Sequence, residues 1–113
     1  MPKDLEINIV RNGACSVVHI HGEIDLKTSP ELRDALLDLF RKRSQERVIL
    51  DFQGVTYIDS SGVASLIEGL HEAKTKKARL ILANLGDSAR HVLDLTRLTS
   101  VFEIAKTVED ALR

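Results

Sequence analysis

Four consecutive residues, Asp59-Ser60-Ser61-Gly62, place a carboxylate, two hydroxyls and a glycine between an apolar segment and an amphipathic one. Two kinds of chemistry fit that pattern. Asp59 or Ser60 can cap the following helix by accepting hydrogen bonds from its unpaired first amides. A serine hydroxyl there can also carry a phosphate, which would face the same amides and the positive end of the helix dipole. Such a phosphate adds nearly two negative charges beside Asp59 and would repel an acidic or closely fitted partner. Spacing by itself favours the cap.

Other chemistry is poorly supported. Nucleophilic catalysis needs a serine with an oriented base, and no Gly-x-Ser-x-Gly elbow surrounds Ser60. The four histidines, His19, His21, His71 and His91, bear no sequence relation to it. His19 and His21 lie two apart on an expected strand, hence on one face, but two nitrogens do not complete a four-ligand zinc site. Gly54 and Gly62 are too isolated to cradle a nucleotide. No metal, cofactor or enzymatic activity is implied. Cys15, the only cysteine, reads as a packing residue in a reducing compartment.

Several elements must position the Asp59–Gly62 block. Leu5, Ile7 and Ile9 alternate with polar neighbours as in a half-buried strand. Asn12-Gly13 signals a hairpin turn into a second strand over Ser16–His21, which Gly22 ends. After the loop Glu23–Thr28, Ser29 is the expected N-cap and Pro30 the first residue of a helix. Leu32, Ala35, Leu36, Leu39 and Phe40 form its apolar stripe, and it ends near Arg43. Val48-Ile49-Leu50 suits a central strand covered on both faces. A second helix carries Val63, Leu66, Ile67 and Leu70 to about Lys76. Then come a buried strand at Leu80–Ala83, a helix capped by Asp87 with Ala89, Val92 and Leu93, a short strand at Val101-Phe102 and a helix from Thr107 to Leu112. The fold class is therefore α/β: a mixed sheet of four to five strands against about four helices, in the order β-β-α-β-α-β-α-β-α.

The 113 residues suit one domain over 1–113, with 43% apolar residues and 4% aromatic ones, so the core must rest on Leu, Ile, Val and Ala. The start Met1-Pro2-Lys3-Asp4 lacks the pattern of a signal peptide, and no apolar run nears the ~18 residues of a membrane span. A cytoplasmic protein is expected. A net charge of −1 offers no general attraction to nucleic acid or membrane. The clusters Arg41-Lys42-Arg43 and Lys74, Lys76, Lys77, Arg79 fall near expected helix C-termini, where the dipole favours cations.

Gly22-Glu23-Ile24-Asp25, the Ser29-Pro30 helix start, Val48-Ile49-Leu50-Asp51-Phe52 and Tyr57-Ile58-Asp59-Ser60-Ser61-Gly62 together resemble the STAS domain of bacterial anti-sigma factor antagonists. The resemblance spans essentially the whole chain, and the Asp-Ser-Ser-Gly block is its most specific part. It implies a small binding protein whose unphosphorylated form captures an anti-sigma factor and so frees a sigma factor for RNA polymerase. It further implies that this anti-sigma factor is an ATP-dependent serine kinase, that Ser60 is its target, and that a metal-dependent phosphatase restores the hydroxyl. By the same resemblance Asp59 and Ser61 flank the modified site and Gly62 lets a partner approach the helix start. Glu23 and Asp25 match the family's acidic loop near that surface. Glu68, His71 and Glu72, on the surface of the second helix, point to no particular partner. The other reading is a constitutive STAS subunit of a lipid-transport, sensory or stress-signalling complex, with Ser60 only a helix cap.

Overall fold

A computed structural model describes residues 4–113, so the first three residues of the N-terminal segment lie outside the described residues. Two strands, β1 (Leu5–Asn12) and β2 (Cys15–Ile24), lead into α1 (Ser29–Arg41), β3 (Arg47–Ile58) and α2 (Ser60–Thr75). These are followed by β4 (Arg79–Ala83), α3 (Asp87–Leu95), β5 (Glu103–Ala105) and α4 (Val108–Leu112). The strands form one sheet in the order β1-β2-β3-β4-β5. Only the β1–β2 pair is antiparallel; every later pair is parallel and is joined by a helical crossover. The mixed sheet and the element order agree with the reading from sequence.

Alternation along the strands divides the molecule into unequal layers. Val18, Ile20, Val48, Leu50, Phe52, Leu80 and Leu82 point to one face, where they meet Leu32, Leu36, Leu39 and Phe40 of α1, Val63 and Leu66 of α2, and Ala89 and Leu93 of α3. Ile49, Ile81 and Ala83 point to the other, where Ala111 of α4 covers them. Val48, Ile49 and Leu50 are fully buried, as a central strand covered on both sides requires. Each fully buried Leu or Ile contributes about 1.5–3 kcal/mol of transfer free energy. Leu, Ile, Val and Ala dominate this core, but all three phenylalanines join it.

Several boundaries differ from the expectation for definite reasons. The hairpin register pairs Asn12 with Cys15, so the loop residues are Gly13 and Ala14, and Gly13 takes the positive φ (63°). Gly22 does not end β2. It lies within the strand at φ 114°, against Leu5 of β1 and Val55 of β3, and a Cβ there would sit 2.2 Å from the carbonyl oxygen of Asp4. Thr28, not Ser29, occupies the N-cap position of α1. Ser29 is buried as the first helical residue and its carbonyl accepts a bond from Ser65 Oγ of α2 (3.1 Å). The helix stops at Arg41, because Arg43 N–H turns back to the Asp38 carbonyl and Ser44 takes a positive φ (50°). Gly86 sits at the N-cap of α3, with Asp87 in the first turn, where its charge favours the helix dipole without a capping bond. The last strand begins at Glu103, two residues beyond Val101, because Phe102 leaves the sheet plane to fill the core. Arg79 opens β4 and pairs with Glu103 of β5. Arg41 and Lys74 do lie in the last turns of their helices.

Gly22→Ala combines a forbidden φ with a collision against backbone. It should lower unfolding free energy by about 2–3 kcal/mol or more. Urea unfolding of the variant beside the parent chain checks this, and a loss below about 0.5 kcal/mol would show that the Asp4 segment yields freely.

Candidate functional site

β2 and β3 run parallel to their ends, with Glu23 opposite Tyr57 and Ile24 opposite Ile58. The segments that leave these ends, Asp25–Thr28 and Asp59–Ser61, therefore emerge side by side at the carboxyl edge of the sheet. A direct bond ties them: Asp59 N–H donates to the Ile24 carbonyl (3.1 Å). In parallel α/β sheets this edge is where loops commonly build binding sites.

Asp59 is the N-cap of α2. Its Oδ1 accepts from Ser61 N–H (2.9 Å) and Gly62 N–H (3.1 Å), with the backbone extended at φ −113° and ψ −172°. Of the two capping possibilities left open by the sequence, Asp59 takes the role and leaves the Ser60 hydroxyl out of it. Ser60 is the first helical residue and is exposed. The amides that a phosphate on Ser60 was expected to face are already occupied by the Asp59 carboxylate. Ser61 is half-buried, and its carbonyl accepts from Ser65 Oγ (3.3 Å).

Gly62 is buried, and the space left by its missing side chain belongs to this chain. A Cβ would lie 2.7 Å from both Ile24 Cγ2 and Ile58 Cγ1. Gly62 thus lets α2 settle on the sheet rather than letting a partner approach, which corrects the role expected of it. Asp25 is likewise turned inward. Its Oδ1 accepts from Lys27 N–H (3.0 Å) and Thr28 N–H (3.0 Å), while the Thr28 hydroxyl accepts from Asp25 N–H (2.9 Å) and donates to the Glu23 carbonyl (2.7 Å). The bond from Thr28 N–H chiefly holds the Asp25 carboxyl below its ordinary pKa, and the other donors and nearby Lys27 act in the same direction against a cost of burial. Of the two acids, only Glu23 presents its side chain freely exposed.

Three large apolar residues on these elements are exposed, and one of them, Ile67, was expected on the buried stripe of α2. Leu26, at the tip of the Asp25–Thr28 turn, is 77% exposed, Tyr57 is 46% and Ile67 is 42%. Ile67 lies on the same face of α2 as Ser60 and Ala64, at a spacing of four and three residues. An apolar residue inside the otherwise polar Asp25–Thr28 turn was the available signal for Leu26. Farther along α2, Glu72 is nearly buried and pairs with Arg41 of α1 (3.0 Å), so it fastens the two helices, while Glu68 and His71 remain exposed.

A separate polar cluster crosses the sheet on its α4 side. Asp51 Oδ2 lies 2.7 Å from His19 Nδ1, and its Oδ1 accepts from Asn84 Nδ2 (2.9 Å) and Gln53 N–H (3.0 Å). Here β3 bulges: His19 faces Asp51 but His21 faces Gly54. Burial raises the Asp51 pKa, but the bonds from Asn84, Gln53 and His19 outweigh it and the net shift is downward. His19 is thereby engaged with a carboxylate, and no group of three or more His, Cys, Asp or Glu suited to a metal is found among the described residues.

A family model for the STAS domain matches residues 6–111. The chain belongs to the STAS domain family. It is 26% identical over 110 residues to the anti-sigma-B factor antagonist of Bacillus subtilis strain 168, across 97% of this chain and 99% of that protein. The crystal structure of an anti-sigma factor antagonist from Mycobacterium paratuberculosis superimposes with a TM-score of 0.86 at 25% identity, covering 99% of this chain and 94% of that one. The Bacillus cell fate determinant SpoIIAA in its phosphorylated form shares the fold, with a TM-score of 0.74 at 22% identity over 96% of this chain and 100% of that one. No described helix is long and apolar enough to cross a membrane.

Two outcomes follow. Asp59→Ala leaves the first amides of α2 without their acceptor and should cost about 0.5–2 kcal/mol, with Asp59→Asn recovering most of it; chemical denaturation of the pair measures this. Asp51 has its pKa lowered by folding, so its stabilising contribution is complete above the ordinary carboxylate range and vanishes as pH falls through and below that range. Stability measured from neutral pH downward should therefore fall less steeply in Asp51→Asn than in the parent chain, and equal slopes would refute the assignment.

Proposed function

We propose that this chain is a cytoplasmic anti-sigma factor antagonist, a binding protein and not an enzyme, whose switch is the Ser60 hydroxyl. In this reading the unphosphorylated form binds an anti-sigma factor and releases the sigma factor it held. The anti-sigma factor is also a serine kinase. It transfers the γ-phosphoryl group of ATP to Ser60 Oγ, the hydroxyl proton leaves, and ADP departs. A metal-dependent serine phosphatase reverses the step with water, returning the hydroxyl and inorganic phosphate. The chain itself contacts neither nucleic acid nor membrane in this scheme.

The observation that carries the reading is the exposed position of Ser60 at the start of α2, with its capping duty taken by Asp59. A hydroxyl free of structural work can accept a phosphoryl group without unfolding the helix end. Support also comes from the similarity to anti-sigma factor antagonists and from the Asp59–Gly62 block. Glu23, Asp59 and Ser61 flank the site in this scheme. Asp25 supports it by fixing the adjoining turn, and Gly62 by seating the helix.

Incubation with the cognate anti-sigma kinase and ATP should add one phosphate, located at Ser60 by intact-mass and fragment measurement. Ser60→Ala should bind that kinase permanently, whereas Ser60→Asp should weaken binding by about ten- to a hundredfold, equivalent to ~1–3 kcal/mol. Phosphate found only elsewhere, or equal affinity of the two variants, would remove the switch and favour a constitutive subunit.

A further inference from the structure

We infer that the outer side of β1 is a self-association surface, and that two copies of this chain pair their β1 strands antiparallel about a two-fold axis beside Ile9, joining their sheets into one. The inference is independent of the reading of Ser60, which follows β3, two strands away.

The hairpin turn determines which backbone groups β1 has to offer. Asn12 and Cys15 flank a two-residue loop, so they bond to each other, and every second residue before Asn12 also aims its N–H and C=O at β2. The Asp4 carbonyl keeps this phase by accepting from Glu23 N–H (3.0 Å). Asn8 and Val10 are therefore committed to the hairpin, while Ile7, Ile9 and Arg11 aim their donors and acceptors outward. β1 stands first in the sheet, and no described strand pairs with its outer side.

Proteins commonly block such a row with proline, lysine, a bulge or a very short strand. At its other border this sheet is blocked in that way: β5 has three residues, and its Glu103 pairs with Arg79. β1 uses none of these devices. It runs for eight residues, contains neither proline nor lysine, and keeps an unbroken register with β2. Its centre, Ile7-Asn8-Ile9-Val10, is uncharged, with Ile9 42% and Val10 58% exposed.

A second copy satisfies this row through symmetry. A two-fold axis perpendicular to the sheet keeps every side chain on its own face, so Ile9 falls opposite Ile9 or Ile7 of the other copy. In both registers outward groups meet outward groups, and Ile9 gains an apolar neighbour. Charge agrees with the reversal. Glu6 and Arg11 lie toward opposite ends of β1, and in either register Glu6 of one strand faces the residue next to Arg11 of the other. A net charge of −1 leaves almost no overall repulsion between copies. The assembly closes at two, because the short, blocked β5 offers no second row.

Sedimentation velocity of the full chain from about 5 μM to about 500 μM should show a reversible monomer–dimer equilibrium, since so small an interface binds weakly. Ile9→Lys should raise the dissociation constant at least about tenfold. Ile9→Pro should do the same while circular dichroism and thermal unfolding stay close to the parent, because the N–H it removes faces outward. On raising the concentration, the amides of Ile7, Ile9 and Arg11 should become protected from hydrogen exchange, whereas those of Asn8 and Val10 should be protected throughout. Should Ile9→Pro not fold, Ile9→Lys and the amide pattern decide. A chain that stays monomeric over this range overturns the proposal. So does a dimer that survives both substitutions or leaves the three outward amides unprotected, since it would use another surface.

Discussion

The parallel pairing of β2 with β3 governs this molecule more than any side-chain contact does. Parallel neighbours cannot be joined by a tight turn, so α1 must cross over between them, and their carboxyl ends finish at the same edge. The pairing continues through Glu23–Tyr57 and Ile24–Ile58, and it is closed by the bond from Asp59 N–H to the Ile24 carbonyl. The two loops are thereby tied to each other through backbone. Gly22 and Gly62 then tighten the arrangement: one admits the Asp4 carbonyl and the other admits Ile24 and Ile58. A side chain at Gly62 would push apart the elements that frame Ser60, and one at Gly22 would displace the start of β1.

Much of this was legible in the sequence because it follows from local chemistry. Alternation identified β1, a continuous apolar run identified the centre of β3, and Thr107 caps α4 as its type and place suggest, accepting from Asp110 N–H (3.1 Å). The errors share a cause. Ser29 and Asp87 are good capping residues by type, but the tertiary frame places Thr28 and Gly86 one step ahead of them. Phe102 has strand character, yet core space claims it first. An isolated glycine commonly ends a strand, and nothing local announces that Asp4 presses against Gly22.

At the site, the motif located Ser60 and Asp59 but left their division of labour open. Geometry resolves it, since one carboxylate oxygen satisfies two amides and the hydroxyl is left over. Glu23 and Asp25 appeared equivalent as acids of one loop, whereas the structure engages Asp25 with its own backbone and leaves Glu23 outside. Leu26 and Tyr57 are far apart in sequence, and only the register of β2 with β3 brings the segments that carry them to one edge. The Asp51, His19 and Asn84 cluster was hidden for the same reason: its members come from β3, β2 and the residue that follows β4, and the bulge beside them has no sequence signature of its own.

Tyr57 gives the molecule one further property. The chain contains a single tyrosine and no tryptophan, and that tyrosine is half-exposed on the edge that carries Ser60. Near-ultraviolet absorption and emission of the isolated protein therefore come almost wholly from one ring a few residues from the hydroxyl. The fold has an intrinsic optical reporter at its busiest edge, and changes there register spectroscopically without any attached label.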